Sequence, residues 1–404
     1  MKKVLLALVV VFALFTVAAC GQDEFEQGVF EDKVIVGNTA ATSGPLAFVG
    51  VPFKAGMDAY FDMVNAEGGI AGRTIEYIQK DDEFNAALGL SYTQELVEDD
   101  QVFALVGHFG TPTVSATREY LNQVGIPRVY YATGVSSLFN LTATGGEKSS
   151  FPVQPIFDAE GEVMLARAIQ DLGASRVGVI YSNADDGRGM LRGIQLRAGE
   201  LGVALTSVVQ VAPDADDMST AAQIMLAANV DVVIVAANQV PAATAIRALD
   251  DAGSSLPVIT SYVNADATWL GGLTDVIGSF EIYGNAWIDI FNPDGTPTAD
   301  YELFAETIGA EYAANAFSFA GWIAAATFVE GLRRVGDQPL TWESFIDAME
   351  ESPVELPFGV VVDYANGRRV GTQAMALLKA AMVDGAPVWQ TESPIQTITD
   401  ILGD

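Results

Sequence analysis

Cysteine and histidine are almost absent from this sequence, and their scarcity limits its chemistry. Cys20 is the only cysteine and His108 the only histidine among 404 residues. A zinc site made of these residues needs more of them, and His108 is the only imidazole that could activate a nucleophile. The glycine-framed serine of hydrolases and the Gly-x-Gly-x-x-Gly of nucleotide-binding loops are missing too. We therefore expect no catalytic residue, no metal and no cofactor, and we expect His108 to be a packed core residue.

Basic residues are also few. The chain has 20 Lys and Arg against 52 Asp and Glu, so its formal net charge is −32 at pH 7. Removal of Lys2 and Lys3 with an N-terminal signal peptide brings this charge to −34. Such a charge repels nucleic acids and anionic lipid surfaces, which argues against both as partners. We interpret the acid excess as a solvated surface suited to a salty habitat.

The only long apolar run outside a predicted core lies at the N-terminus. Two lysines precede apolar residues 4–15, and Val17-Ala18-Ala19-Cys20 follows. This order is typical of a secretory signal peptide over residues 1–20. The run is too short to cross a bilayer, which takes about 20 residues.

Small residues directly before Cys20 resemble a bacterial lipobox. The resemblance implies that Cys20 is acylated and anchors the protein by lipid to a membrane of the cell envelope, in a periplasmic or otherwise extracytoplasmic location. The alternative is an ordinary signal peptide with an incidental cysteine. The polar residues 21–30 are then expected to form a tether between the anchor and the folded part.

The rest of the chain predicts an alternating α/β fold. About 380 residues exceed what one hydrophobic core usually serves, so two lobes are expected. Apolar runs rich in β-branched residues alternate with helical stretches in two successive series. The predicted strands are 33–38, 74–79, 102–106 and 127–131, and then 176–181, 203–211, 231–236 and 257–261. This alternation predicts two doubly wound lobes, each with a parallel sheet flanked by helices on both faces.

A strongly apolar helix is predicted over residues 313–335. Its length of roughly 23 residues would suffice for a membrane span. Polar residues interrupt it at Asn315, Ser318, Thr327 and Glu330. We therefore predict a core helix packed under a sheet instead.

Five segments carry a resemblance to a known family. They are Ser43-Gly44-Pro45-Leu46, NAEGGIAGRTIEYIQKDDE at 65–83, LVGHFGT at 105–111, GIPRVYYAT at 125–133 and YSNADDGRGM at 181–190. In order and spacing they resemble the type I periplasmic solute-binding proteins of ABC importers, in the branched-chain amino acid (leucine/isoleucine/valine) group. The resemblance covers nearly all of the chain after the signal peptide, although no single segment is diagnostic.

The resemblance implies a specific domain organisation. It predicts two lobes joined by three hinge crossovers near 153–157, 283–287 and 356–362. Lobe 1 then combines residues 31–154 and 287–357, and lobe 2 combines 155–286 and 358–404. A small ligand is held in the cleft between the lobes, and the protein is expected to be a monomer.

The ligand is expected at the carboxyl ends of the parallel strands, where loops lead into helix N-termini. Thr111 lies in a Gly-Thr-Pro-Thr segment at the start of a helix, a natural site for an anion. In the resembling family the positions of Thr111 and Thr133 hold the α-carboxylate of the ligand. The alternative for each is an ordinary residue at a helix start.

The other half of amino-acid recognition is not preserved. Relatives specific for amino acids carry an acid that pairs with the ammonium group of the ligand, and Tyr262 occupies that place here. Tyrosine supplies no negative charge. Either Asp185, Asp186 or Asp266 substitutes for the acid, or the ligand lacks an ammonium group, since a buried unpaired cation is costly. A small carboxylate, an amide or an aromatic acid then competes with an α-amino acid as the ligand.

Further candidates for the cleft are aromatic or amide side chains. Phe109, Tyr131, Tyr262 and Trp287 suit the mainly apolar wall of a small-molecule pocket. Asn238 follows an apolar strand and could present its amide to the ligand. Core or hinge packing is the alternative for Phe109 and Trp287.

These observations predict an extracytoplasmic solute-binding lipoprotein, not an enzyme. It would close on its ligand by a hinge motion and present the closed form to ABC permease subunits in the membrane. A sensing module that presents its closed form to a membrane receptor or kinase is the alternative, and neighbouring genes would distinguish the two. An enzyme of the same fold is a third hypothesis, which turnover of a bound ligand would reveal.

Overall fold

The computed structural model describes residues 25–292 and 296–403 and consists of two α/β lobes. Residues 1–24 lie outside this range, and with them the predicted signal peptide and Cys20. Each lobe has its own sheet, of five strands in lobe 1 and seven in lobe 2. The chain passes from lobe 1 to lobe 2, returns to lobe 1 and ends in lobe 2.

The first pass through lobe 1 forms its complete sheet. Its strands are β1 (Lys33–Ala40), β2 (Thr74–Asp81), β3 (Ala104–Phe109), β4 (Arg128–Ala132) and β5 (Ser150–Phe151). Its helices are α1 (Ala47–Ala66), α2 (Ala86–Glu98) and α3 (Thr111–Val124). All pairs are parallel in the order β2-β1-β3-β4-β5. Parallel strands need long connections, and α1, α2 and α3 provide them between β1 and β4.

Lobe 2 repeats the alternation. Its strands are β6 (Val177–Ser182), β7 (Ser207–Val211), β8 (Val232–Ala236), β9 (Val258–Thr260) and β10 (Ile282–Ala286). Its helices are α4 (Phe157–Gln170), α5 (Asp185–Leu201), α6 (Ser219–Ala228), α7 (Gln239–Asp251) and α8 (Ala267–Gly271). These five strands are also parallel.

The chain then returns to lobe 1 before it ends in lobe 2. The returning elements are α9 (Ala299–Ile308), α10 (Ala316–Val335), α11 (Trp342–Glu350), β11 (Val354–Leu356) and β12 (Val360–Val362). The last elements are β13 (Ala374–Val383), β14 (Ala386–Thr397) and α12 (Ile398–Leu402). β13 and β14 extend the lobe 2 sheet in antiparallel fashion, giving the order β14-β13-β10-β9-β8-β6-β7. The prediction of two doubly wound α/β lobes is confirmed, with this antiparallel edge as an addition.

The apolar helix predicted over 313–335 is α10, and it is a core helix of lobe 1. Its start is capped by Asn315, whose side chain accepts hydrogen bonds from the amides of Phe317 (2.9 Å) and Ser318 (3.2 Å). It packs closely on α1, because a Cβ atom added at Gly321 would lie 1.9 Å from the carbonyl oxygen of Phe53. Of the helices in the described part of the chain, none has the length and apolar character to cross a membrane.

The tether predicted at 21–30 is partly wrong, because its second half packs on lobe 1. The side-chain amide of Gln27 donates to the carbonyl oxygens of Val97 and Val102, each at 3.0 Å. Val29 is buried in the core of lobe 1. Residues 26–30 therefore belong to the folded part.

The third crossover lies later than the predicted 356–362. The hairpin of β11 and β12 turns the chain back onto lobe 1, where the Tyr364 hydroxyl donates to the carbonyl oxygen of Pro152 (3.0 Å). Arg369 exchanges backbone hydrogen bonds with Asn140. The Thr372 amide then donates to the carbonyl oxygen of Val153 in the first crossover at 2.8 Å. Residues 358–371, assigned to lobe 2 from the sequence, thus pack on lobe 1.

Candidate functional site

A cavity lies between the two lobes at the carboxyl ends of their strands. About 100 Å³ of it is open to the centre of a water molecule, several times the roughly 10–15 Å³ that one water needs. Its wall is mostly apolar, and lobe 1, lobe 2 and the first crossover all contribute to it. The wall residues include Phe53, Phe84, Phe109, Thr111, Thr133, Gln154, Phe157, Asn238, Gln239, Tyr262, Trp287 and Phe317. This is the position at which open parallel sheets bind ligands.

Two buried threonine hydroxyls face each other in this wall. Thr111 begins α3, and Thr133 follows the end of β4. Their Oγ1 atoms are 2.8 Å apart, and Thr133 Oγ1 also accepts a hydrogen bond from the Val135 amide (3.2 Å). One hydroxyl proton serves the pair, so the second is free to point into the cavity. Together with the positive end of the α3 dipole, this pair suits an anionic or carbonyl oxygen.

Asn238 contributes an acceptor that the protein itself does not satisfy. It precedes α7 and lies in the cavity wall. Its Oδ1 atom is buried and accepts no hydrogen bond from the described residues. An unpaired buried acceptor costs about 1–3 kcal/mol, so a ligand hydroxyl or a bridging water is expected to pair with it.

Tyr262 forms part of the wall in lobe 2. Its ring stacks on Phe157, with ring centroids 5.9 Å apart, and its hydroxyl donates to the carbonyl oxygen of Pro155 (3.0 Å). Burial raises the pKa of Tyr262 well above its usual value, and nearby Glu160 adds to the shift. Tyr262 therefore stays neutral and gives the cavity a lone pair, not a charge.

Glu160 holds the Tyr262 loop in place, and sequence reasoning missed it. This fully buried carboxylate on α4 accepts hydrogen bonds from the Ser261 hydroxyl (2.7 Å), the Tyr262 amide (2.7 Å) and the Asn285 side chain (3.2 Å). Burial raises its pKa to about 7, although these hydrogen bonds oppose the shift. The only local signal was an acidic residue within an otherwise apolar helix face.

The structure places Phe109, Asn238, Tyr262 and Trp287 on the wall, but it places Tyr131 elsewhere. Side chains alternate along a strand, and Ala132 of β4 lines the cavity. Tyr131 therefore points to the other face of the sheet, where its hydroxyl lies 2.9 Å from the Ser150 hydroxyl. Assigning Tyr131 to the ligand site was wrong.

Asp186 also lies away from the wall. It is buried at the start of α5, where its side chain accepts a hydrogen bond from the Asn238 amide (3.2 Å). Burial raises its pKa above the usual value. Its assignment to the ligand site is corrected: Asp186 supports the backbone of a wall residue and stays behind it.

Charge is absent from the cavity wall as far as the structure describes it. Its side chains include no Asp, Glu, Lys or Arg. Asp185 accepts a hydrogen bond from Ser115 (2.8 Å) and pairs with Arg188. Asp266 is used as a cap. None of the three acids considered from the sequence reaches the wall, so the described residues offer no partner for a buried ammonium.

Asp266 joins the two lobes next to the cavity. It caps its own helix α8 by accepting from the amides of Thr268 (2.8 Å) and Trp269 (3.0 Å). Its other oxygen accepts from the amide of Ala316, at the start of α10 in lobe 1, at 2.9 Å. The Ser115–Asp185 hydrogen bond also runs from lobe 1 to lobe 2. Both hydrogen bonds therefore connect lobe 1 to lobe 2.

Comparison with known proteins agrees with this architecture. The family described as "Periplasmic binding protein" matches residues 33–386. The Leu/Ile/Val-binding protein homolog 6 of Brucella abortus is 30% identical over 189 residues, which are 46% of this chain and 44% of that protein. Homolog 3 of Brucella melitensis is 24% identical over 330 residues, 80% of this chain and 84% of that protein. The match to homolog 6 thus spans less than half of its length.

Solved structures share the fold at low sequence identity. A branched-chain amino acid ABC transporter protein of Thermus thermophilus with bound valine has a TM-score of 0.78 at 16% identity, covering 92% of this chain and 99% of that one. A solute-binding protein of R. palustris in complex with 4-hydroxybenzoate has 0.77 at 18% identity, covering 91% and 97%. A fatty acid ABC transporter substrate-binding protein of Thermomonospora curvata has 0.76 at 18%, covering 93% and 96%.

Proposed function

The chain belongs to the periplasmic binding protein family, and we propose that it captures a small organic acid without an amino group and delivers it to an ABC importer. The observation that carries this proposal is the cavity wall, which pairs a threonine hydroxyl couple with no charged side chain among the described residues. Hydroxyl groups and a helix N-terminus can hold a carboxylate. An ammonium group would be buried there without a partner.

The apolar part of the wall indicates the chemistry of the ligand beyond its carboxylate. Phenylalanine and tryptophan side chains favour an aliphatic or aromatic body. The buried Asn238 acceptor suits a hydroxyl at the far end of such a body. Valine, a fatty acid and 4-hydroxybenzoate, the ligands named for structural neighbours, share a carboxylate and differ elsewhere. The fold thus accommodates such acids with and without an amino group.

Capture would proceed by closure of the lobes. A ligand that touches Thr111 in lobe 1 and Tyr262 in lobe 2 stabilises the closed form by its contacts to both. The hydrogen bond from the Ala316 amide to Asp266 forms only when the lobes meet. ABC permease subunits would then recognise the closed form, presented by a monomer.

Native mass spectrometry of protein purified without unfolding identifies the organic acid that stays bound. Adding this acid back to protein freed of bound solute should close the lobes and so reduce the radius of gyration in small-angle X-ray scattering. Asp266→Ala should lower its affinity about tenfold or more, because a charge-assisted hydrogen bond of the closed form is lost. Asp266→Ala also removes the cap of α8, so the control is Asp217→Ala, which removes a carboxylate bonded to the Ser219 amide (2.8 Å) at the start of α6 and should leave affinity unchanged. If neither the retained solute nor 4-hydroxybenzoate changes the radius of gyration, capture by closure is contradicted.

We also propose that Cys20 is lipidated, which the small residues before it support. The protein would then remain at the outer surface of a membrane, close to the permease. Cys20→Ser should release the protein from membranes or leave it as an uncleaved precursor. Wild-type protein that partitions into the aqueous phase of a detergent extraction would contradict the anchor.

A further inference from the structure

A second cavity lies on the opposite face of the lobe 1 sheet, and we propose that it binds a small inorganic anion of the size of chloride. About 40 Å³ of it is open to the centre of a water molecule. It lies between α3, β4 and the segment after β12 that contains Arg369. Its wall includes the buried side chains of His108, Thr117, Arg128, Tyr131 and Arg369.

The first reason is that Arg128 is a buried cation that forms no ion pair with a carboxylate of the described residues. Four arginines are buried among the described residues, and three of them pair with a carboxylate. These pairs are Arg167 with Asp171 (3.0 Å), Arg197 with Glu200 (3.0 Å) and Arg369 with Glu350 (2.6 Å). Arg128 instead donates to the neutral oxygens of the Asn122 side chain (2.6 Å) and the Gly146 backbone. In the described part of the chain no carboxylate lies within ion-pair distance of it.

Burial makes this missing partner costly. A charge removed from water is stabilised only by an opposite charge and by hydrogen bonds to its remaining donors. The loss of water lowers the pKa of Arg128, as burial does for any cation. Because an arginine remains protonated in proteins, Arg128 keeps its positive charge and needs an opposite charge close to it. An anion bound in the adjoining cavity supplies the negative charge that no side chain of the described residues places in an ion pair with Arg128.

The balance of charge around the cavity points the same way. Arg118, Arg128 and Arg369 line it, against a single acid, Glu147. Glu147 is already engaged by Arg118 (2.9 Å) and by the Asn140 side chain (2.7 Å). Arg369 is paired with Glu350 (2.6 Å), so Arg128 is the arginine of this wall whose charge is left without an ion pair among the described residues.

The donors and the space fit a small ion. The Nε–H groups of Arg128 and Arg369 are buried without a hydrogen-bond partner among the described residues, as is that of Arg167, but only the first two line this cavity. The open space is about three to four times the minimum for one water, enough for a chloride ion with one or two waters. His108 adds no charge, because burial lowers its pKa to about 3. Its Nε2 atom lies 2.7 Å from the Thr117 hydroxyl.

The site is separate from the ligand cavity but adjoins it through the sheet. Tyr131 lines the anion cavity, whereas its neighbour Ala132 and then Thr133 line the ligand cavity. The helix α3 likewise contributes Thr111 to one and Thr117 to the other. The anion would therefore act as a structural counter-ion behind the hydroxyl pair.

Bromide, which replaces chloride and scatters anomalously, tests the site directly. In crystals of the protein grown with sodium bromide, data collected at the bromine absorption edge should show a peak in this cavity, within hydrogen-bond reach of Arg128. Peaks on the surface alone, with none in the cavity, would reveal an adventitious ion only and overturn the proposal.

Melting curves at constant ionic strength test the site in solution. Replacing isethionate, which is too large for the cavity, by chloride should raise the melting temperature of wild-type protein in a saturable way, by about 2 °C or more. Arg128→Met should abolish this rise. The matched variant Arg167→Met removes a buried guanidinium from lobe 2 and should still show the chloride-dependent rise in melting temperature. An equal rise in Arg128→Met would overturn the proposal, and the bromide crystals decide the matter if that variant does not fold.

Discussion

We expect 4-methylpentanoate, which is leucine without its amino group, to bind at least about 100-fold more tightly than leucine. The two molecules share their carboxylate and their branched end, so they differ only in the ammonium group. Among the described residues the cavity wall has no acid to pair with that group. Burying an unpaired charge costs several kcal/mol, and about 2.7 kcal/mol already amounts to a factor of 100. Isothermal titration of both ligands measures the difference.

Substitutions at Tyr262 supply the matched pair of variants for this experiment. Tyr262→Glu introduces an acid into the wall and should raise the affinity for leucine. Tyr262→Phe removes the hydroxyl that donates to Pro155, adds no charge and should not raise it. Tight leucine binding by wild-type protein that Asp186→Asn abolishes would show that Asp186 reaches the ligand, contrary to the arrangement described above.

We expect Thr111→Val to weaken the binding of a carboxylate ligand such as 4-methylpentanoate by about 10- to 100-fold. The substitution keeps the shape of the side chain and removes one hydroxyl of the pair. A hydrogen bond to a charged oxygen contributes about 1.5–3 kcal/mol, and one to a neutral oxygen nearer 1 kcal/mol. Thr133→Val should have a similar effect on affinity and a larger effect on stability, because it also leaves the Val135 amide without its acceptor. Titration calorimetry and melting curves separate these two effects.

The control for the threonine variants is Thr93→Val. Thr93 is fully buried on α2, and its hydroxyl has no partner among the described residues. The same loss of a hydroxyl there should leave ligand affinity unchanged. If Thr111→Val weakens binding no more than Thr93→Val does, the hydroxyl pair does not hold the ligand. Because the two threonines share one hydrogen bond, the double variant should fall short of the sum of the single effects.

The features that were predictable from the sequence depend on local patterns. The alternation of strands and helices predicted two α/β lobes, because each element shows its period within a few residues. The helix over 313–335 was recognised because polar residues interrupt its apolar surface, and α10 lies at that place. The hydroxyls at Thr111 and Thr133 followed from a resemblance in short segments, and the fold brings them within 2.8 Å.

The errors arose where the sequence carries no local signal. The side chains of β3 and nearly all those of β4 are buried on both faces of the sheet, so no polar alternation indicated which face Tyr131 occupies. The tether was misjudged because the partners of Gln27 lie 70 and 75 residues away along the chain. The third crossover was misplaced because the contacts of 358–371 are made with residues near 140–153.

The sequence alone therefore determined the class of fold, and its single histidine and single cysteine limited the chemistry open to the chain. The tertiary structure alone decided which side chains meet in the cavity. In the fold, Asp185, Asp186 and Asp266 lie away from the cavity wall. Glu160 binds the backbone of the Tyr262 loop, and Arg128 has no carboxylate of the described residues beside it. The physical reason is that periodicity and composition are properties of neighbours in the chain, whereas charge pairing and burial depend on residues that only folding brings together.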